Sequence, residues 1–318
     1  MRRRHHWKAI VTATVLLVFA NSVWAEYCST QGTPRILKSE VWRFDWRAFL
    51  SVDEIIASEA KHLPWGTPAD CAHLLFHKEY VLCYDVDRKG PSWASYRLER
   101  QDVKEGQRWN AFRSDPRLPE VRNPACADYQ GSGFDRGHLV PRADMNRLKT
   151  AVVNSFFLTN MGPQFPNMNQ GVWERLERLV RAWAKASGWV HVISGSVYDH
   201  DHNGQPDALA QIPRTPSGRV ALPSHFFKLV IRELSPGTLE SITVLVPNLA
   251  NVPGRNASDV TKDSFLRQRI VSAGEIRQRS GRDHLPMLPA TQKAQLEAAC
   301  GLGPVAGQLG PSTAGGAW

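Results

Sequence analysis

Three side chains that can move a proton or hold an anion crowd into four positions: Asp135, Arg136 and His138. An imidazole with an ordinary pKa near ~6.5 accepts a proton at neutral pH. A neighbouring guanidinium can hold a phosphate or offset charge developing on it. Gly137, between them, lets another piece of backbone approach closely. Taken as residues only, the cluster fits two descriptions. One is base chemistry on a phosphate; the other is a structural loop with an Asp–Arg ion pair and a surface histidine.

These residues need a frame. The clearest helix spans Gln170–Ser187, where Val172, Trp173, Leu176, Leu179, Val180, Trp183 and Ala184 recur at helical spacing. Glu174, Arg175, Arg178 and Lys185 fall on the other side, Gly188 is the stop, and Asn169 stands where a helix cap belongs. Read alone, Glu177 and Arg181 are an i,i+4 salt bridge on a solvated face. A shorter helix is expected at Val52–Lys61, stopped by Leu63-Pro64, and another at Lys293–Ala299. Strand signals fall at Tyr80–Tyr84, Trp93–Leu98, Val190–Ser194, Phe226–Arg232 and Ser241–Val246. The polar, Pro- and Gly-rich stretch Gln107–Gly133 reads as loop. The fold class expected is α+β, with a mostly antiparallel central sheet and flanking helices.

The run Gly131-Ser132-Gly133-Phe134-Asp135-Arg136-Gly137-His138-Leu139 resembles the signature of the DNA/RNA non-specific endonucleases, the endonuclease G-like ββα-metal nucleases. Further segments are similar in the same order: Tyr80–Asp85, Phe156–Gln164, Asn169-Gln170 with Trp173 and Leu176-Glu177, Pro223–Lys228, and Val246-Pro247-Asn248. The likeness covers about Tyr80 to Arg279.

The resemblance implies a ββα-metal active site. His138 matches the general base, and Asn169 the one protein ligand of a divalent metal, Mg²⁺ or alternatively Mn²⁺. Mg²⁺ sheds water reluctantly, so a single protein ligand is chemically sensible. Glu177 matches an acid that orients water around the metal. Arg136 and Arg181 match phosphate-contacting arginines, and Arg113 resembles another. Asp135 orients the motif, and Asn160 is a supporting polar residue. Asn169, Trp173, Glu177 and Arg181 follow at intervals of four and trace one slanted stripe. Eight helical residues rise about 12 Å, so Glu177 acts at a distance from the metal rather than beside Asn169. The implied activity is hydrolysis of DNA and RNA phosphodiesters, leaving 5′-phosphate ends. Two alternatives remain: a phosphodiesterase acting on a non-nucleic substrate, and a catalytically silent nucleic-acid-binding protein of the same fold.

The whole chain sets the context. It has 318 residues, 42% hydrophobic and 22% charged, which excludes wholesale disorder, collagen and coiled coil. The formal charge is +9; residues 1–25 hold four bases and no acid, so their removal leaves +5. That is a mild bias toward polyanions. Residues 1–25 read as a signal peptide, with a basic start, an apolar run at Ala9–Ala20 and the cleavage-like Val23-Trp24-Ala25. The mature chain is expected to be exported, periplasmic or extracellular, and not membrane-bound. After a lead-in at 26–75 comes the endonuclease-like domain at 76–288, then a short helix and disordered tail at 289–318. A homodimer and an inhibitor protein are left open. The five cysteines allow up to two disulfides with one thiol over, in a connectivity the sequence does not give. Asp199–Gly204 resembles the start of a calcium loop, but Ala210 stands where the closing acid belongs, and a polar loop is the expectation. His191 and His225 read as satisfied core residues, and Asn256-Ala257-Ser258 as a formal glycosylation sequon.

Overall fold

The computed structural model describes Cys28, residues 44–106 and residues 109–299. The signal peptide, Cys300 and the tail beyond it lie outside the described residues. Helix α1 (Val52–His62) opens on a reciprocal cap. The Ser51 hydroxyl accepts from Glu54 N–H, and the Glu54 carboxylate accepts from Ser51 N–H. Three strands follow: β1 (His73–Phe76), β2 (Val81–Asp85) and β3 (Gly90–Glu99). Next come β4 (Asp135–His138), helix α2 (Lys149–Asn154), β5 (Met161–Gln164) and helix α3 (Glu174–Ser187). The chain continues through β6 (Trp189–Val197), β7 (His225–Ser235) and β8 (Thr238–Pro247). It closes with α4 (Asp259–Arg267), β9 (Ile270–Val271), α5 (Ala273–Ser280) and α6 (Ala290–Ala298).

Seven strands form one sheet in the order β1-β2-β3-β6-β7-β8-β9, every neighbour antiparallel. Strand alternation sends successive side chains to opposite faces. One face (Tyr96, Leu98, Val192, Phe226, Val230) packs under Leu176, Leu179 and Val180 of α3. The other (Ile193, Phe227, Leu229, Ile231) packs under Ile276 of α5 and Leu296 of α6. Each fully buried aliphatic side chain contributes about 1.5–3 kcal/mol. A carboxylate at Val180 would unseat α3.

The expected α+β architecture is the observed one. Lead-in residues from His73 onward supply an edge strand of the sheet. The loop at 109–133 carries short 3-10 turns at Glu120–Arg122 and Cys126–Asp128 and an isolated bridge from Arg113 to Phe157. Two disulfides form, Cys28–Cys126 and Cys71–Cys83. The first closes a span of 98 residues, which a chain-entropy model values at about 4–5 kcal/mol.

Candidate active site

Strands β4 and β5 pair apart from the large sheet, with Asp135 opposite Gln164, Gly137 opposite Gly162 and His138 opposite Met161. The hairpin is tight: a Cβ on Gly137 would lie 2.1 Å from the Gln164 side chain. This is the close approach that the glycine was expected to allow. Alternation places Asp135 on one face of the hairpin, and Arg136 and His138 on the other.

The Asp135 face meets the start of the long helix. Asn169 Nδ2 and Gln170 Nε2 both donate to Asp135 Oδ2, each at 2.8 Å. A carboxamide whose nitrogen faces a carboxylate must turn its oxygen away. Asn169 Oδ1 has no hydrogen-bond partner among the described residues. Asn169 was expected as a helix cap, and this is corrected. It lies inside a π-helical stretch, Met168–Trp173, that runs into α3, and its N–H bonds back to Phe165 O at 2.9 Å. The wide turn is wedged by Gly171, where a Cβ would sit 2.2 Å from Pro253 O. The regular four-residue stripe expected from Asn169 to Arg181 is interrupted there.

On the opposite face, the Arg136 guanidinium carbon lies 4.5 Å from the centre of the Phe112 ring. The His138 ring is 5.9 Å from Phe112 and meets Phe156 edge-on at 5.0 Å. Arg136 Nη1 is buried with no hydrogen-bond partner among the described residues. Burial holds this guanidinium's pKa below its usual value, with Tyr129 and Asp135 opposing the shift. A buried donor left unpaired is costly, so the position favours an incoming anion.

The backbone around His138 is held at several points. Trp173 Nε1 donates to His138 O at 3.1 Å. The Lys228 ammonium donates to Leu139 O at 3.2 Å. Asn160 accepts from Val140 N–H at 3.0 Å and donates to Val140 O and Ser155 O. Asn160 is fully buried, so its place is structural support of the loop after the histidine.

Glu177 and Arg181 lie over a buried charged network. Arg181 does not bridge to Glu177 in the expected i,i+4 manner; its Nη1 donates to Asp144 Oδ1 at 2.9 Å. The Tyr96 hydroxyl donates to the other oxygen of Asp144 at 2.7 Å. Burial raises the Glu177 carboxyl's pKa, opposed by Lys228 and Arg181. Burial also lowers the Lys228 ammonium's pKa, opposed by Glu177 and Asp144. Sequence reasoning left Asp144, Tyr96 and Lys228 without roles. The available signal was a lysine set between Phe226-Phe227 and Leu229-Val230, in an otherwise apolar strand.

Arg113 is a correction. It was expected to contact phosphate, but its side chain is fully buried and bonded throughout. Nε donates to Asp45, Nη1 to Ala111 O and Val153 O, and Nη2 to Asn154 Oδ1. Its guanidinium also stacks 3.9 Å from the centre of the Phe157 ring. Every nitrogen of its guanidinium is engaged inside the protein, and Arg113 ties the segments around residues 45, 111 and 153 together.

The donor chemistry fits a divalent metal. Asn169 Oδ1 is a hard oxygen oriented by Asp135, and a single such ligand suits an ion that keeps most of its water. Elsewhere among the described residues, Asp199, Asp201 and Asp207 bring carboxylate oxygens within 4.8 Å of one another. Asp199 there is ion-paired with Arg279, in the polar loop that was expected. His191 is buried on the sheet as expected, while His225 is part-exposed and bonds the Ser224 hydroxyl.

A histidine on a tight hairpin joined through its own strand to an asparagine on the following helix is the core of a ββα-metal nuclease fold. A crystal structure of the EndoG/EndoGI complex contains the same fold, with TM-score 0.61 and 23% identity over 72% of this chain and 91% of that one. The chain belongs to the DNA/RNA non-specific endonuclease family, whose model matches residues 59–285. The match begins inside α1, ahead of the boundary at 76 expected from sequence. Mitochondrial endonuclease G of Homo sapiens is 33% identical over 186 residues, 58% of this chain and 62% of the relative. The chain therefore spans about three fifths of that relative's length. Mitochondrial nuclease 1 of Schizosaccharomyces pombe is 29% identical over 273 residues, 83% of this chain and 80% of the relative. A nuclease of Nostoc sp. is 28% identical over 260 residues, 77% and 87% of the two chains.

Proposed function

We propose that this protein is a sugar-non-specific endonuclease that hydrolyses DNA and RNA phosphodiesters and leaves 5′-phosphate ends. One observation carries the reading most directly. Asp135, three residues before His138, holds the nitrogen of the Asn169 amide and so presents its oxygen as a lone hard ligand. Family membership and the nuclease relatives support the same reading.

Asn169 would hold the divalent ion, with Asp135 orienting it; Mg²⁺ is the proposed ion and Mn²⁺ its substitute. When bound, the ion supplies charge neutralisation at the scissile phosphate and stabilises the leaving oxygen. The His138 imidazole takes the proton of the attacking water. Its own position is fixed through its carbonyl by Trp173 and through the next residues by Asn160 and Lys228. Arg136 offers its unpaired Nη1 to a phosphate oxygen. Arg181, part-exposed and anchored by Asp144, stands as a second cation for the phosphate backbone. Glu177 would orient water on the metal's side of the site. None of these residues addresses a base edge, which gives a physical basis for non-specific cleavage. Export is part of the proposal, and the two disulfides support an oxidising compartment.

The test is plasmid nicking and RNA degradation by the purified protein, with and without EDTA. His138→Ala should lower cleavage by about 10²–10⁴-fold with an unchanged melting curve. Near-normal cleavage by this variant would remove His138 from the role of base. Asn169→Ala should raise the Mg²⁺ concentration giving half-maximal rate; an unaltered requirement would mean that another residue binds the ion. Binding without EDTA-sensitive cleavage would favour the silent nucleic-acid-binding alternative.

A further inference from the structure

We propose that Lys228 is a positioning residue for this reaction: its ammonium fixes the backbone that presents His138 and supplies the charge facing Glu177. The inference rests on the reading of His138 as the base.

Lys228 lies on β7 and is fully buried. Removing an ammonium from water costs several kcal/mol, so packing alone does not account for it. Its Nζ donates to Leu139 O at 3.2 Å and to Ser194 Oγ at 3.3 Å, and lies 4.4 Å from the centre of the Trp173 ring. That same indole donates to His138 O. Two consecutive carbonyls, of residues 138 and 139, are thus gripped by two side chains in contact with each other. The grip comes from the central sheet and from the helical segment carrying Asn169, so it locks the hairpin to both.

Charge adds a second role. The groups facing Lys228 are Glu177 and Arg181 from α3 and Asp144 from the turn at Arg142–Met145. Glu174 also acts on Glu177, and the Tyr96 hydroxyl from β3 bonds Asp144. Two cations face two carboxylates at the centre of this set, Asp144 buried and Glu177 half-buried. Removing Lys228 leaves one carboxylate uncompensated. Asp144 keeps Arg181 at hydrogen-bond distance, so the deficit falls on Glu177, whose proton affinity rises.

The experiment compares Lys228→Met, Lys228→Gln and His138→Ala by kcat, KM and pH profile. In Lys228→Met, kcat should fall by up to about 10²-fold with KM little changed, as expected for a misplaced base. The acidic limb of its kcat profile should move to higher pH by about one unit or more. Lys228→Gln keeps an N–H for Leu139 but no charge. It should recover part of kcat and show the same displaced limb. A merely structural lysine would change stability without moving that limb. A folded Lys228→Met with an unmoved profile and kcat within about twofold of the parent overturns the proposal. Should both variants fail to fold, ¹H–¹⁵N spectra of the unaltered protein decide. A protonated, slowly exchanging Lys228 Nζ near pH 7 supports the role, and a neutral amine or a freely exchanging ammonium overturns it. His138→Ala separates the two readings: if it cleaves normally the base assignment fails, whatever Lys228 does.

Discussion

Both faces of the seven-stranded sheet bury titratable side chains, and they do so in opposite ways. Under α3, Glu177, Asp144, Arg181 and Lys228 form a network of opposed charges next to the hairpin that carries His138. On the other face, His62 and His191 meet across Ser95 as neutral imidazoles. His62 Nδ1 accepts from Arg97 N–H, and its Nε2 donates to Lys78 O. Ser95 Oγ donates to His62 O and sits 2.8 Å from His191 Nε2. Each partner of His62 is matched to one tautomer, so protonation would set the new N–H against the Arg97 amide. Burial accordingly lowers His62 to about 4 and His191 to about 3. A group satisfied in a single protonation state serves the fold. A set of opposed charges held together at a desolvation cost needs a reason beyond stability.

The same contrast divides two arginines that stack on phenyl rings. Arg113 over Phe157 has every nitrogen committed, whereas Arg136 over Phe112 keeps a buried N–H without an acceptor. Replacing Arg113 with alanine strands the Asp45 carboxylate and should cost about 3–5 kcal/mol of stability, read by urea unfolding. A variant as stable as the parent would erase the distinction. Arg136→Ala should instead leave unfolding almost unchanged and reduce kcat/KM by about 10²–10³-fold. If its loss appears in stability rather than rate, Arg136 belongs with Arg113.

The far face offers a pH test. Unfolding frees His62 and His191 to titrate at an ordinary value near ~6.5, so between that pH and their lowered native values the unfolded chain binds more protons. Their contribution is therefore fully present above about pH 6.5 and is lost as pH falls toward 4. Each histidine removes about 1.4 kcal/mol per pH unit in that window. His62→Gln should flatten the decline in melting temperature between pH 6.5 and 5. An equally steep decline in the variant would mean that carboxylates, not this imidazole, drive acid unfolding. The smallest effect concerns salt. Arg181→Ala should make the log–log dependence of nucleic-acid binding on salt shallower by about one, the mark of a single phosphate contact. An unchanged slope would place Arg181 wholly in the service of Asp144.

Much of this was legible in the sequence. The five long strands and α3 follow from apolar periodicity, and their cores fall where the spacing put them. The short hairpin strands were not visible as strands. Asp-Arg-Gly-His and Met-Gly-Pro-Gln carry glycine, proline and charge, so propensity does not announce their pairing. Arg113 misled because an arginine beside aromatics looks alike whether its acid partner lies in solvent or 68 positions away in the chain. Lys228 and Asp144 were silent for a related reason. Their meaning depends on which strands and turns come to face one another, and no spacing rule encodes that.

The wide turn at Met168–Trp173 sets an angular phase. Each residue of a regular helix advances about 100° around its axis. Excising one residue there, so that a plain α-helix resumed, would rotate Asn169 by roughly that angle relative to α3. The Asn169 amide, the proposed metal ligand, would then point away from Asp135 while the helix stayed seated on the sheet. Length is therefore as constrained as composition in this stretch. A one-residue deletion that a surface loop would absorb would here dismantle the proposed site without unfolding the protein.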